Sequence, residues 1–338
     1  MAGRCATDRR REMMAPGSQP NQETWRGRRV LVTGGVGFIG SHVVDALVSR
    51  GAEVRVLDNL QAGREENLRQ VREAIDLRIG DLRDPQAVDA AVRGCEIVYH
   101  IGANASVPAS VEDREYDFKT NTLGTYHVAD AAVRYDVHRI VQASTAAVYG
   151  PPQYTPVDEQ HPLMPISPYG GSKLAAERLL SAYAHTFEFE LFCVRIFNTY
   201  GPRQPRYVAY DLMMKLARDP RRLEVLGSGN QQRDYCYISD MVAALMIAGS
   251  RPIERVEVAN ISGGRTTSIR ELVALILETL GLRDTEVVYG LPSWKGDIDV
   301  LSGDIRRFCS FGWQPEVPIE EGLRRMAIDL GLLPSEER

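Results

Sequence analysis

No apolar run in the 338-residue sequence approaches the roughly 18 residues that a membrane-spanning helix needs, so no spanning segment is expected. The five cysteines, at 5, 95, 193, 236 and 309, form neither a CxxC pair nor a Cys/His metal-ligand spacing. That pattern argues against a disulfide framework or structural metal and suits free thiols in a reducing cytoplasm. Basic character is equally missing: the net charge is −5 with both signs spread along the chain, which excludes a nucleic-acid face or a polybasic membrane patch. An anionic ligand must therefore be held by local groups. Residues 1–26 lack the apolar core of a secretory signal and mix Arg4, Arg9, Arg10 and Arg11 with Asp8 and Glu12 ahead of Pro16, Gly17 and Pro20. They read as a flexible polar arm.

What is present is alternation. From Arg28 onward short apolar runs alternate with amphipathic stretches, the mark of a parallel α/β sheet covered on both faces. Strands are expected at 29–33, 53–57, 76–79, 97–101, 139–143 and 191–195. Helices are expected at 41–49, 85–93, 125–134 and 172–187. Past Phe197 the rhythm loosens into Pro and Gly clusters with further strands at 223–226 and 256–259, which predicts a smaller second lobe.

The first expected strand runs into Gly34-Gly35-Val36-Gly37-Phe38-Ile39-Gly40 and then a helix. Glycines at 34, 37 and 40 let a backbone turn sharply and let a pyrophosphate approach amide N–H groups at a helix N-terminus. Asp58 ends the second strand and can accept both hydroxyls of a ribose, which favours NAD over NADP; Arg64 nearby is the one residue that would suit a 2′-phosphate. Asp58 could also be a simple turn residue. Gly80-Asp81-Leu82 and His100-Ile101-Gly102-Ala103 follow the third and fourth strands, at the edge where an open α/β sheet places its crevice. Asp81 can accept from an adenine amine, and His100, inside an apolar strand, reads as a packed histidine.

Tyr169 and Lys173 lie one turn apart on a helical run introduced by Ser167 and Pro168. A free tyrosine is a poor base at neutral pH, but an ammonium and a cationic nicotinamide both stabilise its phenolate. The same spacing also occurs as an aromatic packed beside a solvated lysine. Ser144 and Thr145 end the fifth strand and deliver two hydroxyls to the same edge, either for a reacting oxygen or as strand-end caps.

Taken together, GGVGFIG, Asp58-Asn59, Asp81-Leu82, Asn121-Thr122-Leu123-Gly124-Thr125, STAAVYG, YGGSK, the run Arg195 to Arg203 and Arg233-Asp234-Tyr235 resemble the NAD-dependent epimerase/dehydratase family of extended short-chain dehydrogenases. The likeness covers residues 28 to 330 in order. It implies a Rossmann-type doubly wound parallel sheet with a smaller α/β C-terminal substrate lobe. Residues 27–196, with segments around 236–262 returning, would bind NAD; 197–235 and 263–338 would bind a nucleoside diphosphate sugar, usually in a homodimer.

By that likeness Tyr169 is the base, assisted by Thr145 and Lys173. The cofactor contacts fall on Gly34, Gly37, Phe38, Ile39, Gly40, Asp58, Asn59, Asp81, Leu82, Ile101, Ala103, Tyr169 and Lys173. Substrate contacts fall on Ser144, Thr145, Asn198 at the diphosphate, Arg233 as a fork donor, Leu226 near the base and Asp297 at the ribose. Family dehydratases carry Asp-Glu, and the decarboxylases Glu, where this chain has Ala146-Ala147. Two methyl groups cannot move protons, so 4-epimerisation of a nucleotide sugar, UDP-linked by family frequency, is the expected reaction. A dehydrogenase or reductase on the same scaffold, a dehydratase and a non-catalytic NAD-binding protein are the alternatives. Glucose, N-acetylglucosamine and glucuronate forms stay open.

Overall fold

The computed structural model describes residues 24–291 and 298–334. The first half of the chain forms β1 (Arg29–Thr33), α1 (Phe38–Ser49), β2 (Glu53–Asp58), β3 (Ile75–Ile79), α2 (Pro85–Val92) and β4 (Ile97–His100). It continues through α3 (Val107–Glu112), α4 (Arg114–Phe118), α5 (Gly124–Arg134), β5 (Arg139–Thr145), α6 (Pro168–Phe187) and β6 (Glu190–Ile196). The second half adds β7 (Asn198–Tyr200), α7 (Val208–Arg218), β8 (Arg222–Leu226), β9 (Gln232–Tyr237), α8 (Ile238–Ser250) and β10 (Val256–Ile261). It ends with β11 (Thr266–Ser268), α9 (Ile269–Thr279), β12 (Glu286–Leu291), β13 (Val300–Leu301), α10 (Arg306–Cys309) and α11 (Ile319–Asp329).

Seven strands make one parallel sheet in the order β10-β6-β5-β4-β1-β2-β3. The order reverses between β1 and β4, and at such a switch point an open α/β sheet leaves a crevice at the carboxyl ends of its strands. Strand alternation sorts the core onto two faces: Val30 and Val32 of β1 join one apolar cluster with α1 and α8, while Leu31 joins the other with α2, α5 and α6. All three are fully buried, each stabilising the fold by about 1.5–3 kcal/mol. The remaining strands build two small sheets, β7, β11 and β13 around β9 and β12 beside β8. These form the smaller lobe, while α8 and β10 lie with the large sheet.

Two expectations shift. The polar arm does not extend to residue 26, because Trp25 is buried against Tyr99 with ring centroids 6.1 Å apart, and residues 1–23 lie outside the described ones. Helices α1 and α6 also begin earlier than the amphipathic pattern suggests, at Phe38 and Pro168, because Gly37 and Ser167 are extended N-caps. Among the described residues no helix is long and apolar enough to cross a membrane.

Candidate active site

The crevice begins at the loop between β1 and α1. Gly34 has φ +69°, and a Cβ there would lie 2.6 Å from the Gly102 Cα. A Cβ on Gly40 would lie 2.1 Å from the Gly34 carbonyl oxygen. Only glycine fits either place. Helix α1 has no side-chain cap and no acid in its first turn, so the amides around Phe38, Ile39 and Gly40 carry the positive end of the helix dipole without a protein anion to neutralise it. Asp58, at the tip of β2, accepts from the amides of Val36 at 3.1 Å and Leu60 at 2.9 Å. Burial pushes its carboxyl up, partly offset by those backbone bonds. Arg64 is exposed, with its amide on the Val36 carbonyl.

Asn59 donates to Asp81 at 2.8 Å, and Arg83 forks onto both Asp81 oxygens. The Arg83 guanidinium holds the Asp81 carboxyl well below the usual range. An adenine amine at Asp81 would have to share oxygens already engaged by these donors. Leu82 is buried beneath Gly102, and Ile101 and Ala103 are half-buried on the loop after β4. A glycine turn without room for side chains, an uncapped helix start and an acid on the second strand fit a dinucleotide.

Across the crevice, Ser167 caps α6 and Pro168 occupies its first turn, so Tyr169 and Lys173 project from one face of a helix fixed at its start. The Tyr169 amide donates to Ser110 Oγ at 3.1 Å, docking α6 on α3. The Thr145 hydroxyl hydrogen-bonds the Tyr169 phenol, whose pKa burial raises well above the ordinary value. Lys173 is 3% exposed, and burial lowers its pKa to about 8 against the opposing pull of Glu177, Cys193 and Asp117. Thr145 and Tyr169 therefore meet at the carboxyl edge of β5, with Lys173 one turn further along α6.

Ser144 needs correction as a substrate contact. It is buried, its hydroxyl donates to Glu177, and strand alternation turns it away from the side chain of Thr145. Glu177 is gripped by Arg195 through bonds of 3.1 and 2.9 Å. This buried pair ties β6 to α6 behind Lys173. His100 is likewise structural, bonded to Thr33 and Thr125 at 2.9 Å each, with burial lowering its pKa to about 3.

From the smaller lobe, the buried Asn198 Nδ2 at the start of β7 has no protein acceptor, an orphan donor that a bound ligand oxygen would satisfy. Arg233 points Nη1 at the carbonyls of Gln232 and Ile298, at 2.9 and 2.6 Å. Leu226 ends β8 with 53% exposure. Asp297, with Trp294 and Lys295, lies outside the described residues. Two residues not anticipated from the sequence lie nearby: Arg206 and Tyr207 both donate to the Ala105 carbonyl, at 3.1 and 2.6 Å, and both act electrostatically on Tyr169.

Comparison with known proteins accords with this geometry. A model of the NAD dependent epimerase/dehydratase family matches residues 30–262. A UDP-glucose 4-epimerase from Mycolicibacterium smegmatis is 34% identical over 310 residues, covering 88% of this chain and 96% of that protein. UDP-glucuronic acid decarboxylase 1 from Xenopus tropicalis is 33% identical, covering 88% of this chain and 71% of its own. Among solved structures, the UDP-glucose 4-epimerase of Thermotoga maritima with UDP-glucose superposes with a TM-score of 0.84 at 34% identity, covering 90% of this chain and 98% of that one. With the cradle, the tyrosine-lysine helix and the sheet order all in place, the chain belongs to the NAD dependent epimerase/dehydratase family, and NAD is its cofactor.

Proposed function

We propose that this enzyme inverts the C4 hydroxyl of a UDP-linked sugar through a transient 4-keto form. One observation carries the reading: the only side chains directly after Thr145 are the methyl groups of Ala146 and Ala147, so the Thr145–Tyr169–Lys173 group works without the second acid-base pair that loss of water would demand. Tyr169 takes the C4 hydroxyl proton while Thr145 holds the oxygen in line. Lys173 supports the phenolate that Tyr169 must hold before that transfer, which leaves it a phenol. Bound NAD supplies the reversible hydride acceptor, so the cofactor leaves each cycle unchanged. Asn198 meets the diphosphate and Arg233 serves it as a fork donor.

A specific feature favours an anionic sugar such as a hexuronate. The Arg206 guanidinium lies within electrostatic reach of Tyr169, and one of its nitrogens is held by the Ala105 carbonyl at 3.1 Å; its other nitrogens would serve a carboxylate on the ring. A homodimer is also part of this proposal, because Phe118, Tyr126 and Phe187 stand exposed on α4, α5 and α6.

The deciding experiment incubates the purified protein without added cofactor with UDP-glucose, UDP-glucuronate or UDP-N-acetylglucosamine and resolves products by chromatography and NMR. A C4 epimer of unchanged mass is expected. Loss of water or carbon dioxide, or turnover only when NAD is supplied and consumed, would overturn the reading.

A further inference from the structure

Asp117 is a buried acid that the reaction above does not use. It is 1% exposed, at the end of α4, where the helix widens into a π-helical turn at Lys119–Leu123; such turns recur at functional sites. Its Oδ1 accepts from the side-chain amides of Asn104 at 3.1 Å and Asn121 at 3.0 Å, while the nearby Ser172 hydroxyl donates to the Tyr169 carbonyl at 3.0 Å. All of these donors are neutral. Asn121 also bonds Ser172 at 3.1 Å, which fixes the cage against α6 one residue from Lys173.

The groups that act electrostatically on Lys173 are Glu177 on its own helix, Cys193 on β6, His100 on β4 and Asp117. Those acting on Tyr169 are Thr145, Arg206, Tyr207 and Asp117. Glu177 spends its charge on Arg195 through two bonds. Among the described residues, Asp117 interacts with both Tyr169 and Lys173 while its own hydrogen bonds come from neutral amides.

We propose that Asp117 is the positioning residue of this site: a carboxylate caged by neutral donors, it keeps Lys173 charged and sets the pH window in which Tyr169 exchanges protons. The inference rests on the roles assigned above to Tyr169 and Lys173. Removing a negative charge disfavours the ammonium and favours the phenolate, so both groups should titrate at lower pH.

The chain has four lysines, at 119, 173, 215 and 295, so protein labelled with ¹³C at lysine Cε gives few signals, and Lys173 is the one lost in Lys173→Met. In Asp117→Asn its titration midpoint should fall by on the order of one pH unit, and both limbs of the pH–rate profile should move the same way. Asp117→Glu, which keeps the charge, should bring the midpoint back toward the wild-type value. If Asp117→Asn does not fold, Asp117→Ser carries the same expectation. A Lys173 midpoint that stays in place while turnover drops would show that Asp117 only builds the π-helical turn and would overturn the proposal. Should the wild type turn over none of the three sugars, the epimerase reading fails, yet the lysine titration still decides the role of Asp117.

Discussion

Tyr169 and Lys173 are placed at some cost to the fold. Burial raises the tyrosine's pKa and lowers that of the lysine to about 8, so each resists the charge that catalysis requires of it until cofactor and substrate arrive. The lysine permits a check on stability. Its folded pKa of about 8 lies below the ordinary lysine value of 10.5, so between those two pH values the unfolded chain binds more protons and stability rises with pH. Below about pH 8 the full penalty is present, on the order of 3 kcal/mol. Lys173→Met in NAD-free protein should therefore be more stable than wild type at pH 7, with an advantage that shrinks toward pH 10. A thermal denaturation series across that range measures it, and an unchanged or lower melting temperature at pH 7 would refute the burial argument. Tyr169→Phe keeps the ring and loses the proton-transfer group, so kcat should fall about 10²–10⁴-fold while the content of bound NAD, read from the absorbance of the denatured extract, stays at the wild-type level.

At the scale of elements, the backbone packing around the cofactor loop is as demanding as the chemistry. A Cβ on Gly40 would stand 2.1 Å from a backbone oxygen, so Gly40→Ala must push α1 away from Gly34 and displace the helix start that faces the pyrophosphate. Loss of copurifying NAD, with a stability loss of about 1–3 kcal/mol, is expected; an alanine variant that retains NAD would contradict the geometry. The buried Arg195–Glu177 pair is similarly unforgiving, since both side chains are 4% exposed. Arg195→Ala should cost about 3–5 kcal/mol by stranding the carboxylate, measurable by urea unfolding. Much of this was legible from sequence because it is local. The strand-helix rhythm shows as periodicity, and the glycine loop and the tyrosine-lysine turn are short spacings. Ser144 was misassigned because its partner lies 33 residues away, beyond any local pattern. Arg206 and Tyr207 reach Ala105 across about a hundred residues. Asp117 did leave a signal, an acid one helical turn before Asn121, but only the fold shows that its hydrogen-bond donors are neutral amides and that Lys173 lies within its electrostatic reach.

For the whole molecule, the path between the lobes matters most. The segment after β7 leaves the smaller lobe and is fastened at two ends. At one end His42 holds the Pro202 carbonyl at 3.1 Å, Arg203 pairs with Asp45 at 2.8 Å, and the Arg203 amide donates to Asp329 of α11 at 2.8 Å. At the other, Arg206 and Tyr207 share a single acceptor, the Ala105 carbonyl. The end that rests on one carbonyl is expected to give way more readily than the end braced by α1 and α11, and to close over a nucleotide sugar when one binds. Arg203→Ala removes the Arg203–Asp45 pair while leaving Thr145, Tyr169 and Lys173 untouched. Binding should weaken while the chemical step survives: KM for the sugar nucleotide is expected to rise about tenfold, equivalent to roughly 1.4 kcal/mol, with kcat within about twofold of wild type. Hydrogen exchange should show residues 201–207 and 104–107 becoming protected together when UDP is added. A variant that lost kcat with KM unchanged, or protection confined to one of the two segments, would show that the crossing segment does not close over the sugar as a unit.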